Sequence, residues 1–247
     1  MNYLQLCQRM VSQYGLSGGT GPTTTHNQIG ELGNVCSWIS DACLMVDNMW
    51  EDWRYLWNAY AGTLSVASVT PSPVTQQGIN VRRWVRKALK CRQASPLAPT
   101  WTPLAFMPFQ QWQIQVDSDT QLPGAPVFWT ELPDNTIAFD RPADQPYNLK
   151  GAFYQSPTAL ANDTDIPAMP PEYQRIIIIR ALKFYADREN APELVQSSVS
   201  EWPDLLEKLQ SSQIDNYRDM RAATSNESHA TDGGGMSARG FMGGRGY

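Results

Sequence analysis

The sequence predicts an α+β fold: a helical bundle formed by the N- and C-terminal helices, an inserted small antiparallel β-rich domain, and an extended C-terminal tail. Three observations carry this. Apolar residues recur every three or four positions up to Trp57 and again from Pro170 onward, the period of a helix face. Between them the apolar residues alternate and are broken by prolines and turn residues, the period of strands. From Ser211 the chain turns polar, and from Thr231 glycine-rich. The expected segments are 1–62 for the N-terminal helices, 63–157 for the β insert, 158–210 for the C-terminal helices and 211–247 for the tail.

Residues 2–14 fit a short amphipathic helix with Leu4, Cys7, Met10 or Val11, and Tyr14 on one face, ended by "GLSGGTGPTTT". Thr25 and Gln28 have the spacing of a capping box. The stripe Ile29, Leu32, Val35, Cys36, Ile39, Cys43, Val46, Met49, Trp50, Trp53, Leu56, Trp57 then predicts one helix over about 27–57. "TLSVASVTPSPV" alternates like a strand before its prolines, and "INVRRWVRKALKCRQ" fits either a strand or a short helix. "VFWTELPDNTIAFDRPADQPYNLKGAFYQSP" reads as strand, turn, strand, loop, strand. Pro133, Asp134 and Asn135 supply the turn, Val127 and Trp129 alternate, and Tyr147, Leu149, Gly151 and Phe153 alternate again.

Pro170 and Pro171 suit a first helical turn. In the helix that follows, Tyr173, Ile176, Ile177, Ala181, Phe184 and Tyr185 form one face, while Ile178 and Leu182 fall partly outside it. Apolar residues this far round predict burial on a second side, in the bundle alone or also against a neighbouring subunit. Tyr173, Ile178 and Leu182 are the candidate subunit-interface residues. A last helix is expected over about 191–209, kinked or split at Pro203.

The net charge of −5 excludes a polyanion binder acting through its whole surface and leaves room for a local basic patch. The N-terminus lacks the basic and apolar regions of a signal peptide, and no run is apolar enough to span a membrane. Cys7, Cys36, Cys43 and Cys91 show no C-x-x-C spacing and read as reduced, buried thiols of an intracellular product. His26 and His229 have no partner at metal-ligand spacing, and no hydrolase, P-loop or dinucleotide motif is present. Asp163 and Asp165 read as an acidic approach to a helix rather than an acid–base or metal pair. No cofactor and no catalytic residue is expected.

One charge cluster stands out: Arg82, Arg83, Arg86, Lys87, Lys90 and Arg92. It reads as a solvated face with Val81, Trp84 and Leu89 turned inward, or as a contact with DNA phosphates or an acidic partner.

Taken in order, these parts resemble the head–tail adaptor (connector) proteins of tailed bacteriophages. The likeness spans about residues 2–210. Its pieces are "IGELGNVCSWISDA" leading to "MWEDWRYLW", then "TIAFDRPADQPYNLKGAFYQSP", then "DTDIPAMPPEYQRIIIIRALKFYADRENAPELVQ". The resemblance implies a virion structural protein of the head–tail junction, made in the host cytoplasm, not an enzyme, and without a membrane partner. It implies a ring of about twelve copies beneath the portal protein. That ring would extend the channel through which genomic DNA passes without specific binding, and would face a downstream tail or nozzle protein.

The C-terminal segments of such adaptors typically dock on the portal. Here Met236, Phe241, Met242 and Tyr247 would then be anchors, with Arg239 and Arg245 against acidic groups. Ordering a free segment costs about 1–2 kcal/mol per residue, so such a tail needs partners, and a ring presents many tails at once. The rival expectations are a DNA-binding packaging protein working through residues 82–92, another tail-completion protein, and an enzyme sited in the β insert.

Overall fold

The first helix begins on a reciprocal cap. Asn2 Oδ1 accepts from the Gln5 N–H at 2.9 Å, and Gln5 Oε1 accepts from the Asn2 N–H at 3.0 Å. The computed structural model describes residues 1–69, 80–95, 100–116 and 122–214, and in these the chain is a mixed α+β fold. Helix α1 (Tyr3–Tyr14) buries Tyr3, Leu6, Cys7, Met10 and Val11 and ends on Gly15, whose φ of 65° suits glycine. Its leading amides are served from far along the chain: Tyr3 N–H donates to the Asp165 carbonyl at 2.7 Å and Leu4 N–H to the Asp163 carbonyl at 3.3 Å.

The same acidic loop holds Thr25. Asp163 Oδ1 accepts from both the Thr25 N–H and its hydroxyl, each at 2.6 Å. Thr25 is therefore spent on the loop and does not cap the second helix. Helix α2 (Gly30–Asn48) starts later, with Ile29 at the N-cap position and no side-chain cap. Val35, Cys36, Ile39, Ala42, Cys43 and Val46 form its buried stripe.

Helix α2 also stops nine residues before the expected Trp57. The aromatic run keeps a helical spacing, but its backbone does not. Trp53 has φ −58° and ψ 121°, followed by a single 3-10 turn over Arg54–Leu56. The Trp53 indole folds back, and Nε1 donates to the Val46 carbonyl at 3.2 Å. Val46 O, in the last turn of the helix, also accepts from the Met49 N–H at 3.1 Å, so the indole adds a second donor to this carbonyl.

Strand β1 (Trp57–Leu64) follows and crosses the expected segment boundary at 62. The ambiguous basic stretch forms two short strands, β2 (Val81–Trp84) and β3 (Lys90–Gln93). Then come β4 (Thr102–Pro103), β5 (Ala105–Phe106) and a short helix α3 (Phe109–Gln115) that the sequence reading did not anticipate. The expected strand–turn–strand–loop–strand is present as β6 (Phe128–Glu131), β7 (Ile137–Phe139) and β8 (Tyr147–Gln155). Its turn places Asn135 at φ 63°, and Asp134 Oδ1 accepts from the Thr136 N–H and hydroxyl.

Strand β8 is the spine of a five-stranded antiparallel sheet. β1 lies along one side, β2 and β3 along the other, and β4 outside β3. The smaller sheet is not purely antiparallel, because β5 pairs β6 in parallel while β6 pairs β7 antiparallel. Leu64, Trp84, Cys91, Trp129, Phe139, Tyr147, Leu149 and Phe153 fill the core between the sheets. Val127 is exposed and does not share the buried setting of Trp129.

Helix α4 (Arg175–Glu189) is preceded by turn hydrogen bonds from Pro170 to Gln174. Helix α5 (Pro192–Gln213) runs through Pro203 without a break. Pro203 lies on the exposed side, while Trp202, Leu205, Leu206 and Leu209 hold the helix to the core. Residues from α1, α2, α4 and α5 share one apolar cluster with Trp53, Leu56, Leu160 and Met169.

Candidate interaction surface

The predicted basic cluster divides into two groups with different work. Arg82 and Arg83 fasten the β insert to the end of α2. Arg82 Nη1 donates to the Asp47 carbonyl at 3.2 Å, placing a cation where the helix dipole is negative. Arg83 pairs with Asp52 and, at 3.5 Å, with Glu51, and lies over the Tyr154 ring at 5.5 Å. Arg86 covers Phe106, its guanidinium 4.5 Å from the ring centre. Burial raises the nearby Glu131 carboxyl above its ordinary range, against the opposing pull of Arg86 and Arg83.

Lys90 and Arg92 belong to the outer face of the five-stranded sheet, and Lys87, in the turn between β2 and β3, lines the groove on that side. Cross-strand partners share a face. The inner face carries Leu64, Tyr147, Leu149, Phe153 and Cys91, all in the core. The outer face therefore carries the intervening residues. In one row Ala61, Lys150, Lys90 and Pro103 lie side by side, and in the next Thr63, Asn148 and Arg92. Trp57, Ala59, Ala61, Ala152 and Pro103 form the floor and end of an open groove of about 640 Å³, with Lys87, Lys90 and Lys150 along it. Trp57 keeps 48% of its surface exposed.

Trp101, just before β4, gathers three cations. Arg92, Lys150 and Lys90 lie 4.8, 4.9 and 6.0 Å from its ring centre. The strands β1, β3, β4 and β8 contain no aspartate or glutamate at all. Among the described residues the ion pairs lie elsewhere, on Arg83, Arg141, Arg175, Lys183 and Arg188. The Arg92 Nε is buried and meets no acceptor among them.

Lys150 was missed by the sequence reading. Its signal was present: in the alternation of Tyr147, Leu149 and Phe153 inward, Lys150 must point outward. What local pattern does not give is its pairing with Lys90, sixty positions earlier in the chain.

The other predicted site residues fall out as follows. Met236, Arg239, Phe241, Met242, Arg245 and Tyr247 lie outside the described residues. Ile178 and Leu182, expected at a subunit interface, are buried within the single chain at 1% and 0% exposure. Their second side is taken up by the chain's own helices, since α4 packs against both α2 and α5. Tyr173 is half-buried and packs on the same core.

Asp163 and Asp165 are held below the ordinary carboxylate range by hydrogen bonds, Asp163 from Thr25 and Asp165 from the Asn162 and Ala161 amides. No group of acidic, histidine or cysteine residues able to hold a metal occurs among the described residues. The four cysteines are free and buried. Burial pushes the Cys43 thiol up, which disfavours the reactive thiolate.

One buried carboxylate sits at the joint between the two cores. Asp47 is 3% exposed. Its Oδ1 accepts from the Tyr55 hydroxyl at 2.8 Å, and its Oδ2 lies 3.8 Å from the Cys43 thiol. Burial pushes its pKa up to about 6, against the lowering influence of Tyr55, Cys43 and Arg82.

No helix among the described residues is long and apolar enough to cross a membrane. No protein-family model matches the chain, and no curated protein matches it in sequence.

Proposed function

We propose that the chain is a head–tail adaptor of a tailed bacteriophage, a structural protein of the virion that joins the portal to the tail and extends the DNA channel. The reading takes its support from the order of parts along the chain: two helices, a β-rich insert, and a proline-led helix pair. The apolar cluster that α1 and α2 share with α4 and α5 fits an interrupted helical bundle. On this reading the bundle is the ring-forming body, the insert faces outward or toward the tail, and the segment beyond α5 docks on the portal. Copies assemble as a closed ring, of about twelve.

Imaging tests the proposal directly. Mixing the chain with the portal protein of the same virus is expected to give a ring seated on the outer end of the portal in electron micrographs. Free monomers that ignore the portal would exclude it. Deleting 231–247 is expected to weaken portal binding by about 100-fold or more, because a ring multiplies the effect of each docking segment. Unchanged binding by the truncated chain would show that the anchors lie elsewhere.

A further inference from the structure

We infer that the outer face of the five-stranded sheet is a binding site for single-stranded nucleic acid, with phosphates on Lys90, Lys150 and Arg92 and bases over the groove that Trp57 closes.

The charge arrangement points to an anion. Lys90 and Lys150 are direct cross-strand partners, and like charges in that position oppose each other. Arg92 stands two residues further on the same face of β3, about 6.6 Å along the strand by the rise of an extended chain. Three cations thus crowd one indole, and the Arg92 Nε finds no acceptor among the described residues. The chain as a whole is acidic, yet among the described residues Lys90, Arg92 and Lys150 form no ion pair with a carboxylate, whereas Arg83 of β2 is paired. A run of phosphates would relieve the repulsion and serve the free donors.

The groove points to bases. Its floor is built from Ala59, Ala61, Ala152 and Pro103, side chains small enough to leave the sheet surface open. Trp57, half-exposed, stands at its end. Aromatic and apolar surface beside a cationic track is the chemistry of single-strand binding, because an unpaired base offers its flat face. A duplex keeps its base faces stacked inside, and a chain of aspartate and glutamate alone has no flat rings to place there. This inference does not rest on the adaptor reading, and its test needs no portal.

The experiment is fluorescence anisotropy of a labelled oligothymidylate titrated with the full chain at a series of salt concentrations. A slope of log K against log salt of about −2 to −3 is expected, from three or four phosphate contacts at about 0.7 each. The double variant K90Q/K150Q should flatten the slope by about 1.4 and weaken binding about 50-fold at low salt. It removes an opposed like-charge pair together with two exposed contacts to Trp101, so its stability should stay close to that of the parent chain, which separates lost binding from lost fold. Trp57→Ala should weaken binding about tenfold with the salt slope unchanged. The inference is overturned by absence of binding at low salt or by unchanged affinity of K90Q/K150Q. Tighter binding of the matching duplex, or equal displacement of the oligonucleotide by polyglutamate, overturns it as well.

Discussion

Replacing Trp53 by alanine is expected to destabilise the protein by about 4 kcal/mol, the middle of the range for truncating a large buried aromatic. Trp53 is fully buried, stacks on Tyr55 at 5.5 Å between ring centres, and joins the helical apolar cluster. Its removal leaves a cavity at the turn that redirects the chain from α2 into β1. It also strips the Val46 carbonyl of its indole donor. The Trp53→Phe variant divides these contributions: it keeps most of the ring and loses the N–H, so its cost should be smaller, about 1–2 kcal/mol. Urea unfolding followed by far-ultraviolet circular dichroism measures both. A loss below about 1 kcal/mol for the alanine variant would mean that the turn does not depend on this side chain.

The same tryptophan explains why the end of α2 was not legible in the sequence. Trp50, Trp53 and Trp57 continue the helical period set by Ile39, Cys43 and Val46, and periodicity alone extends the helix through them. What ends the helix is tertiary: an indole turned back on a carbonyl seven residues earlier, and two arginines from β2 arriving at the helix end. Helix α1 was legible because its cap and its apolar face are local, as the Asn2–Gln5 exchange shows.

Strand β8 was legible for the related reason that alternation survives in a sheet with one covered face. The basic stretch 79–93 was not, since two strands of four residues joined by a short connection carry too few positions to fix a period. The partition of its cations required knowing which strands pair. Arg82 and Arg83 meet α2, whereas Lys90 and Arg92 meet Lys150 and Trp101. Ile178 and Leu182 were read as surplus to one face of α4. Sequence position cannot say whether the element on that second side belongs to the same chain.

Asp47 gives the second large effect, one that depends on pH. Its pKa is about 6 in the folded protein against 3.8 as a free side chain. The folded state thus holds the proton more tightly than the unfolded one. The stability this provides is fully present below about pH 3.8 and is lost as pH rises through about 6. The loss amounts to about 3 kcal/mol at neutral pH, at about 1.4 kcal/mol for each pH unit of difference.

Asparagine mimics the protonated form: its carbonyl accepts from Tyr55 and it carries no charge to bury. The Asp47→Asn variant is therefore expected to be more stable than the parent chain at pH 8, by up to about 3 kcal/mol, with the difference vanishing near pH 4. Glu131, also raised by burial, titrates in the same direction but equally in both proteins, so it cancels in the comparison. Asp134, Asp163 and Asp165 are held low and lose their contribution only under more acid conditions. Urea midpoints of the two proteins from pH 4 to pH 8 measure the difference. A gap that stays constant with pH would mean that Asp47 is already ionised at pH 4, and that Arg82, whose guanidinium reaches the adjoining carbonyl, outweighs the burial.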